Sequence, residues 1–272
     1  MPAFHAEGGM PYWIDLLTND VAAASDFYAN ILGWETEQTA EGYRLARAQG
    51  LPVAGFITQP DDAPTGATWI THFLVDDIHA ACDKARELGG TVTTEPTDVQ
   101  LGTMALVLDP GDGFFGLIQA HSSEAFVSGG EPGTAVWHEL TCTSNLEKTA
   151  GFYEELFGWT TTHTDAGDGF SYVTAMVDGA PFAGMWTGPN FPADVPNFWQ
   201  TYLGVKSIDD TVAAVTSHGG RILRDPWDSE FGRLALIEDP TGGAMTICEV
   251  EEPVIEAHEG DPLHGIDLSE FQ

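Results

Sequence analysis

Apolar positions in residues 11–58 change from an alternating spacing to a helical spacing and back again. The stretch PYWIDLLT alternates between two sets of side chains, as a strand does. From Val21 to Leu32 the apolar residues recur every three or four positions, and Gly33 ends that pattern. The stretches GYRLARAQG and PVAGFITQ that follow are rich in glycine and β-forming residues, which is typical of hairpin strands. The pattern therefore predicts a β-α-β-β-β unit.

The same unit recurs along the chain. DFYANILGW at 26–34 returns as GFYEELFGW at 151–159. WITHFLVDDIHAACDKARELGG at 69–90 matches FWQTYLGVKSIDDTVAAVTSHGG at 198–220, and each copy again leads from a strand into a helix. Repeats of this kind indicate a fold built by duplication.

A third repeat gives the domain organisation. TMALVLDPGDGFFGLIQA at 103–120 matches RLALIEDPTGGAMTICEV at 233–250, each with two strands around an Asp-Pro turn. We expect four units in two modules, at 1–122 and 134–252, joined within the polar stretch HSSEAFVSGGEPGTA. Residues 253–272 are acidic and lack a clear period, so we expect them to form a loosely attached tail.

The motifs DFYANILGW, FLVDDIHAACDKARELGG and LVLDPGDGFFGLIQ resemble the vicinal oxygen chelate superfamily. That superfamily includes glyoxalase I, the bleomycin- and fosfomycin-resistance proteins and the extradiol dioxygenases. The WIDL and WHEL strands look most like tandem two-module glyoxalase-like proteins of the actinobacterial type. The resemblance implies an α+β fold, in which each pair of units forms a curved eight-stranded half-barrel around a concave cleft. It also implies that the Phe-Tyr pair of each repeated phrase lies in the core.

The resemblance implies four metal-ligand positions in each module, on the first and last strands of its units, usually occupied by His, Gln or Glu. In the first module these positions fall on Trp13, Gly55, Ile70 and Gly116. None of these side chains binds a metal. We therefore expect the first cleft to lack the family's metal site.

The second module retains some candidate metal ligands. Its first position is Trp137 or His138, because the loop before the helix is one residue longer, and the others are Gly184, Gln200 and Thr246. His138 and Gln200, with help from Glu139, are the remaining candidate ligands for one divalent ion. Two neutral ligands without a carboxylate in the usual place suit a hard cation poorly.

Three other residues are candidate acids or bases. Asp15 and Glu139 occupy corresponding places in WIDL and WHEL, and His72 lies two residues beyond an expected ligand position. A carboxylate or imidazole on an apolar cleft wall can serve in proton transfer. A structural role is the alternative: a hydrogen-bonded core histidine, and carboxylates that hold the amides of a neighbouring loop.

Aromatic residues supply the remaining signal for a ligand site. Their large apolar surfaces suit a planar or amphipathic molecule, although each could equally belong to an ordinary core. The candidate ligand-binding residues are Trp13, Trp69, Phe115, Trp137, Trp186 and Tyr202.

Composition narrows the classes of partner. With 42 acidic and 9 basic residues the net charge is -33, which disfavours nucleic acid and anionic membranes. The general interpretation of this acidity is that it keeps the protein soluble. The more specific interpretation is adaptation to a salty cytoplasm. Three scattered cysteines, no apolar run of membrane-spanning length and no signal-peptide pattern predict a cytoplasmic protein. Either a monomer or a homodimer fits two modules in one chain.

The leading hypothesis is a metal-free protein of the glyoxalase/bleomycin-resistance type that binds a small organic ligand, cationic or aromatic, in a cleft. One alternative is a metal-independent enzyme that uses Asp15, His72 or Glu139 as acid or base. Another is a lyase or dioxygenase with a divalent metal in the second module only. A regulatory or purely structural role is a further alternative.

Overall fold

The structure is a computed structural model, and it describes residues 3–60, 66–121, 126–189, 191–192, 195–229 and 232–251. The first module and the strand that precedes it contain β1 (Ala3–His5), β2 (Pro11–Thr18), α1 (Val21–Leu32), β3 (Glu35–Ala40), β4 (Tyr43–Ala48), β5 (Leu51–Thr58), β6 (Thr68–Leu74), α2 (Ile78–Glu87), β7 (Thr91–Val99), β8 (Gly102–Leu108) and β9 (Phe114–Ala120). The join between the modules contains β10 (Phe126–Ser128), which pairs with β1.

The second module repeats the order of the first. It consists of β11 (Ala135–Thr141), α3 (Leu146–Phe157), β12 (Thr160–Gly167), β13 (Phe170–Val177), β14 (Ala180–Thr187), β15 (Phe198–Val205), α4 (Ile208–Ser217), β16 (Arg221–Ser229), β17 (Gly232–Glu238) and β18 (Ala244–Glu249). The expected acidic tail, 253–272, lies outside the described residues.

Each module is one curved eight-stranded sheet. The first has the strand order β3-β4-β5-β2-β6-β9-β8-β7, and the second has β12-β13-β14-β11-β15-β18-β17-β16. In both, the first strands of the two units pair antiparallel, and each pairs parallel with the last strand of its own unit. The two sheets meet where β9 pairs with β15. The predicted fold of four β-α-β-β-β units is confirmed.

Local capping sets where the helices begin and end. The N-cap side chains of Asp20, Asp77, Asn145 and Ser207 each accept a hydrogen bond from a backbone N–H of the first turn. Gly33 and Gly158 end α1 and α3 in the left-handed conformation, with φ of 70° and 72°. The glycine of each repeated phrase is therefore a helix stop. None of the described helices has the length and apolar character needed to cross a membrane.

The two hydrophobic cores lie between the modules, because the helix-bearing faces pack against each other. One core joins α1 of the first module to α4 of the second, and the other joins α2 to α3. Phe27, Tyr28, Phe152 and Tyr153 are buried in these cores. The opposite, concave faces of the two sheets therefore point away from the interface between the modules.

The repeated phrases bind each module to the other. Tyr28 donates to Asp239 of the second module at 3.1 Å, and Tyr153 donates to Asp109 of the first at 3.1 Å. The Trp34 indole donates to the carbonyl of Gly133, just before β11. Its counterpart in the second phrase, Trp159, donates to the carbonyl of Gly9, just before β2. The phrase thus occurs twice because a pseudo-twofold interface needs two matching halves.

Candidate functional site

Strand register identifies the side chains that face each cleft. Asp15 is opposite Ile70 in the first module, and Glu139 is opposite Gln200 in the second. Trp13 is likewise opposite His72, and Trp137 opposite Tyr202. Glu139 therefore corresponds to Asp15, and Trp137, rather than His138, corresponds to Trp13.

In the first cleft, Asp15 and His72 form a buried pair. His72 Nε2 lies 3.0 Å from Asp15 Oδ2, and the two residues are 1% and 0% exposed. Trp13 Nε1 donates to Asp15 Oδ1 at 2.9 Å, and the Tyr43 hydroxyl lies 3.4 Å from the same oxygen. These partners are side chains, so Asp15 does not hold a neighbouring loop's amides, which was the structural role predicted for it. Among the described residues Nδ1 of His72 has no hydrogen-bond partner, and the close contact between Nε2 and Oδ2 lacks hydrogen-bond geometry, so these two atoms have none either.

Two glycines leave the space that this pair fills. A Cβ at Gly55 would overlap Asp15 Oδ1, and a Cβ at Gly116 would overlap His72 Nδ1. Asp15 and His72 thus stand where larger side chains at the two glycine positions would project. With Ile70 also buried, side chains fill the first cleft at its centre.

In the second cleft, Glu139 is held by two phenols. Tyr172 donates to Oε2 at 2.9 Å and Tyr202 to Oε1 at 2.8 Å. All three side chains are only partly buried, unlike the Asp15–His72 pair. Burial first, and then the Glu139 charge, raise the pKa of both tyrosines far above the usual range, so the phenols stay protonated donors. Trp137 also hydrogen-bonds to Tyr172.

Aromatic side chains line the mouth of the second cleft. Trp186 lies 5.7 Å from Phe170 and 5.5 Å from Phe191, measured between ring centroids. Phe170 is 39% exposed, and Phe198, on the strand beside Thr141, is 38% exposed. In the first module, register places Ile57 where the second has Trp186. The second cleft thus has more exposed and more aromatic lining than the first.

Comparison with known proteins decides the family. The sequence pattern of the Glyoxalase/Bleomycin resistance protein/Dioxygenase superfamily matches residues 12–115 and 136–245. The chain belongs to this superfamily.

Relatives and solved structures extend the match over both modules. "Putative glyoxylase CFP32" of Mycobacterium tuberculosis is 32% identical over 89% of this chain and 95% of its own. "Anthracycline biosynthesis protein DauV" of Streptomyces sp. strain C5 is 30% identical over 93% of this chain and 97% of its own. The Mn(II)-bound glyoxalase of Novosphingobium aromaticivorans has the same fold, with a TM-score of 0.63 and 16% identity over 91% of this chain and 84% of that one.

The superfamily's metal does not fit the residues of either cleft. Register places Gly55 and Gly184 beside the cleft carboxylates, and Gly116 and Thr246 beside His72 and Tyr202. The resemblance implies ligands at all four places, and Glu is the usual residue at the positions of Gly116 and Thr246. In the part of the chain that the structure describes, no three His, Cys, Asp or Glu side chains come together in a way that could hold a metal ion. The donor set is therefore unsuited to a family-type metal centre.

His138 was wrongly placed as a partner of Gln200. Its neighbour across the strands is Thr201, on the face between the modules, whereas Gln200 is opposite Glu139 in the cleft. The two side chains therefore point to opposite faces of the sheet and cannot share a metal.

Trp69 and Phe115 were also wrongly assigned to the ligand site. Trp69 donates to Tyr28 at 3.0 Å in one core, and Phe115 is fully buried in the other. Both therefore lie on the helix-bearing face of the sheet. Trp13, Trp137, Trp186 and Tyr202 lie on the concave face.

Two tyrosines that contact the cleft carboxylates were missed by sequence reasoning. Tyr43 and Tyr172 both reach the cleft carboxylate of their module. However, Tyr43 directly follows a turn glycine, whereas Tyr172 comes three residues after Gly169 because the β12–β13 hairpin is longer. The correspondence of the two tyrosines could have been found by pairing β4 with β5, the strand of Gly55, and β13 with β14, the strand of Gly184.

Proposed function

We propose that the protein binds a small planar organic molecule with a cationic group in the concave cleft of its second module, without a metal ion. The observation that carries this proposal is Glu139. Its carboxylate faces the cleft, is oriented by Tyr172 and Tyr202 at 2.9 and 2.8 Å, and stays partly accessible. A fixed carboxylate of this kind is a ready partner for an ammonium or a protonated ring nitrogen.

The surrounding charge supports a cation. The chain carries 42 acidic and 9 basic residues, so the potential around its grooves is negative. The exposed rings of Phe170 and Phe198 offer apolar surface for a planar body, and Trp186 adds a face that attracts cations. The similarity to DauV, which is named for anthracycline biosynthesis, favours a polycyclic ligand class, because anthracyclines are polycyclic aromatic compounds.

Isothermal titration calorimetry with 9-aminoacridine, a planar cation at neutral pH, tests the proposal. Glu139→Gln keeps the shape but removes the charge; its amide oxygen can still accept from one phenol, and its N–H₂ can donate to the hydroxyl oxygen of the other. We expect the variant to bind about 10- to 100-fold more weakly, because a charge-assisted hydrogen bond contributes about 1.5–3 kcal/mol. Glu147→Gln, an exposed carboxylate on α3, is the matched control and should bind as the wild type does.

Two results would contradict the proposal. Equal affinity in the wild type and in Glu139→Gln would remove the carboxylate from the site. A planar anion of similar size, anthraquinone-2-sulfonate, should bind more weakly than 9-aminoacridine, and the reverse order would exclude cation selectivity. Metal content per chain, measured by mass spectrometry after incubation with iron, manganese, nickel and zinc salts and dialysis, tests the metal-free part. About one tightly held ion per chain would favour the metalloenzyme alternative.

A further inference from the structure

A cavity of about 390 Å³ borders the second module, and its lining includes Trp137 of the cleft face but not Glu139. It opens where the first half of β11 faces the turn between β13 and β14, and the segment before β2 forms its third wall. Most of its lining is apolar. The lining includes Met10, Val136, His138, Val177, Ala180 and Phe182.

The cavity exists because two strands diverge. β14 pairs with β11 only from Glu139 onward, so on that side residues 136–138 have no strand partner, and Ala135 is bridged only to Gly129. In the first module the equivalent gap is occupied by the join between the modules. There β10 lies against β5, and Gly133 stands where a Cβ would be 3.5 Å from the side chain of Ala48. The pseudo-symmetry is therefore broken at this place, because the join between the modules packs against the first module where the second has the cavity.

His138 is the polar residue of the cavity wall whose bonding is best defined. Its Nδ1 lies 3.1 Å from the hydroxyl of Thr201 and 3.5 Å from that of Thr71. Among the described residues no hydrogen bond reaches Nε2, so that nitrogen is available to a molecule in the cavity. Burial lowers the pKa of His138 to about 3, so the imidazole is neutral near pH 7. Ile14 holds the corresponding position in the first module, which shows that the fold itself does not need a histidine there.

We propose that this cavity is a second binding site, for a neutral molecule with a flat apolar body and one hydroxyl or carbonyl group that hydrogen-bonds to His138. The volume lies within the usual range for sites that bind small molecules. Mostly apolar walls and an uncharged imidazole disfavour an ionised ligand, because Glu7, the carboxylate of the lining, is exposed to solvent and no buried charge is present to compensate the ligand. This class differs from the planar cation proposed for the cleft, so the two sites can be told apart.

The test compares 2-naphthol with naphthalene, which has the same ring system without the hydroxyl, by equilibrium dialysis. We expect the wild type to bind 2-naphthol about three- to tenfold more tightly, the range for one hydrogen bond in a site of this kind. His138→Ile, which copies the first module, should abolish this preference while naphthalene still binds. It leaves Thr71 and Thr201 hydrogen-bonded to each other at 3.1 Å, so no hydroxyl loses its last partner.

A second variant locates the site independently. Ala180→Phe adds a ring at the exposed turn and should weaken binding of both probes at least tenfold by filling the cavity. Glu139→Gln should leave both affinities unchanged. Unchanged 2-naphthol binding in Ala180→Phe would overturn the location, and a hydroxyl preference that survives His138→Ile would overturn the role of the imidazole. A loss caused by Glu139→Gln would place the probes in the cleft and overturn the proposal.

Discussion

Replacing Tyr153 with phenylalanine tests the interface between the modules at one atom. The hydroxyl donates to Asp109 Oδ2 at 3.1 Å and accepts from Trp199 Nε1 at 2.9 Å, and the whole side chain is buried. Phenylalanine keeps the ring, which stacks on Trp159 with a centroid distance of 5.5 Å. The substitution therefore removes two hydrogen bonds and almost no apolar contact.

The expected loss of stability can be worked out from these contacts. A hydrogen bond to a charged group contributes about 1.5–3 kcal/mol, and a buried N–H left without a partner costs about 1–3 kcal/mol. The first contribution is reduced here because Asp109 keeps the backbone N–H groups of Gly111 and Gly113 and the Asn197 amide as donors. We therefore expect the free energy of unfolding to fall by about 3 kcal/mol.

Urea unfolding followed by tryptophan fluorescence and circular dichroism measures this loss. Tyr28→Phe is the matched variant, because Tyr28 donates to Asp239 at 3.1 Å and accepts from Trp69 at 3.0 Å in the other half of the interface. Tyr12→Phe is the control, since no described residue hydrogen-bonds to this partly buried hydroxyl, and its effect should stay below about 0.5 kcal/mol. Both probes should report one transition, because each core contains residues of both modules.

Losses below about 1 kcal/mol in both tyrosine variants would refute the reasoning. The hydrogen bonds from Tyr153 to Asp109 and from Tyr28 to Asp239 would then not hold the modules together. Two separate transitions in the wild type would refute it in another way. The modules would then unfold independently, and the shared cores would not determine the cooperativity of the protein.

Three further predictions concern pH, packing and salt. Because the folded pKa of His138 is lowered to about 3, the unfolded chain takes up its proton below about pH 6.5 while the folded chain does not. Its contribution to the free energy of unfolding should therefore fall by about 2 kcal/mol from pH 7 to pH 5. Urea unfolding of His138→Ile should lack this pH-dependent component, and identical pH slopes in the wild type and the variant would contradict the prediction. Gly184→Ala should cost about 1–2 kcal/mol, because the new Cβ overlaps the Tyr172 hydroxyl and must displace it from Glu139. Gly151→Ala, where the Cβ meets nothing within 4 Å, should be neutral or stabilising, and equal effects of the two substitutions in calorimetry would exclude the clash. With a net charge of -33, the thermal unfolding midpoint should rise between 10 mM and 1 M NaCl, and a constant midpoint would argue against self-repulsion and against a saline adaptation.

The fold could be predicted from the sequence because its signals are repeated and local. Four units each carry a strand pattern, a helical pattern and a stop, and the Asp-Pro turns fall at matching places. The family's metal positions could also be placed by counting from these turns and helix starts. What the repeats could not show is that the tyrosines and tryptophans of the repeated phrase reach into the opposite module, because that pairing joins residues as far apart as Tyr28 and Asp239.

The errors in the site came from strand phase. In WITHF, apolar residues occupy both faces, so the sequence does not show that Trp69 faces the core and Ile70 the cleft. At β11 the longer loop before α3 left two registers open, and a slip of one residue moves a side chain to the other face. The structure places the additional residue in the loop after Thr141, which puts Trp137 in the cleft and His138 between the modules.

The two modules fill the places of the absent metal ligands in different ways. In the first, the glycines at 55 and 116 leave room for Asp15 and His72, which pair with each other and close the cleft. In the second, the glycine at 184 leaves room for Tyr172, which turns its hydroxyl toward Glu139 instead. Asp15 is enclosed together with His72, whereas Glu139, oriented by two phenols, stays partly accessible to an incoming group. The absence of ligand side chains thus accompanies a packed centre in the first module and the cleft that we propose accepts a cation in the second, and Glu139→Gln tests this proposal because it should alter ligand binding far more than stability.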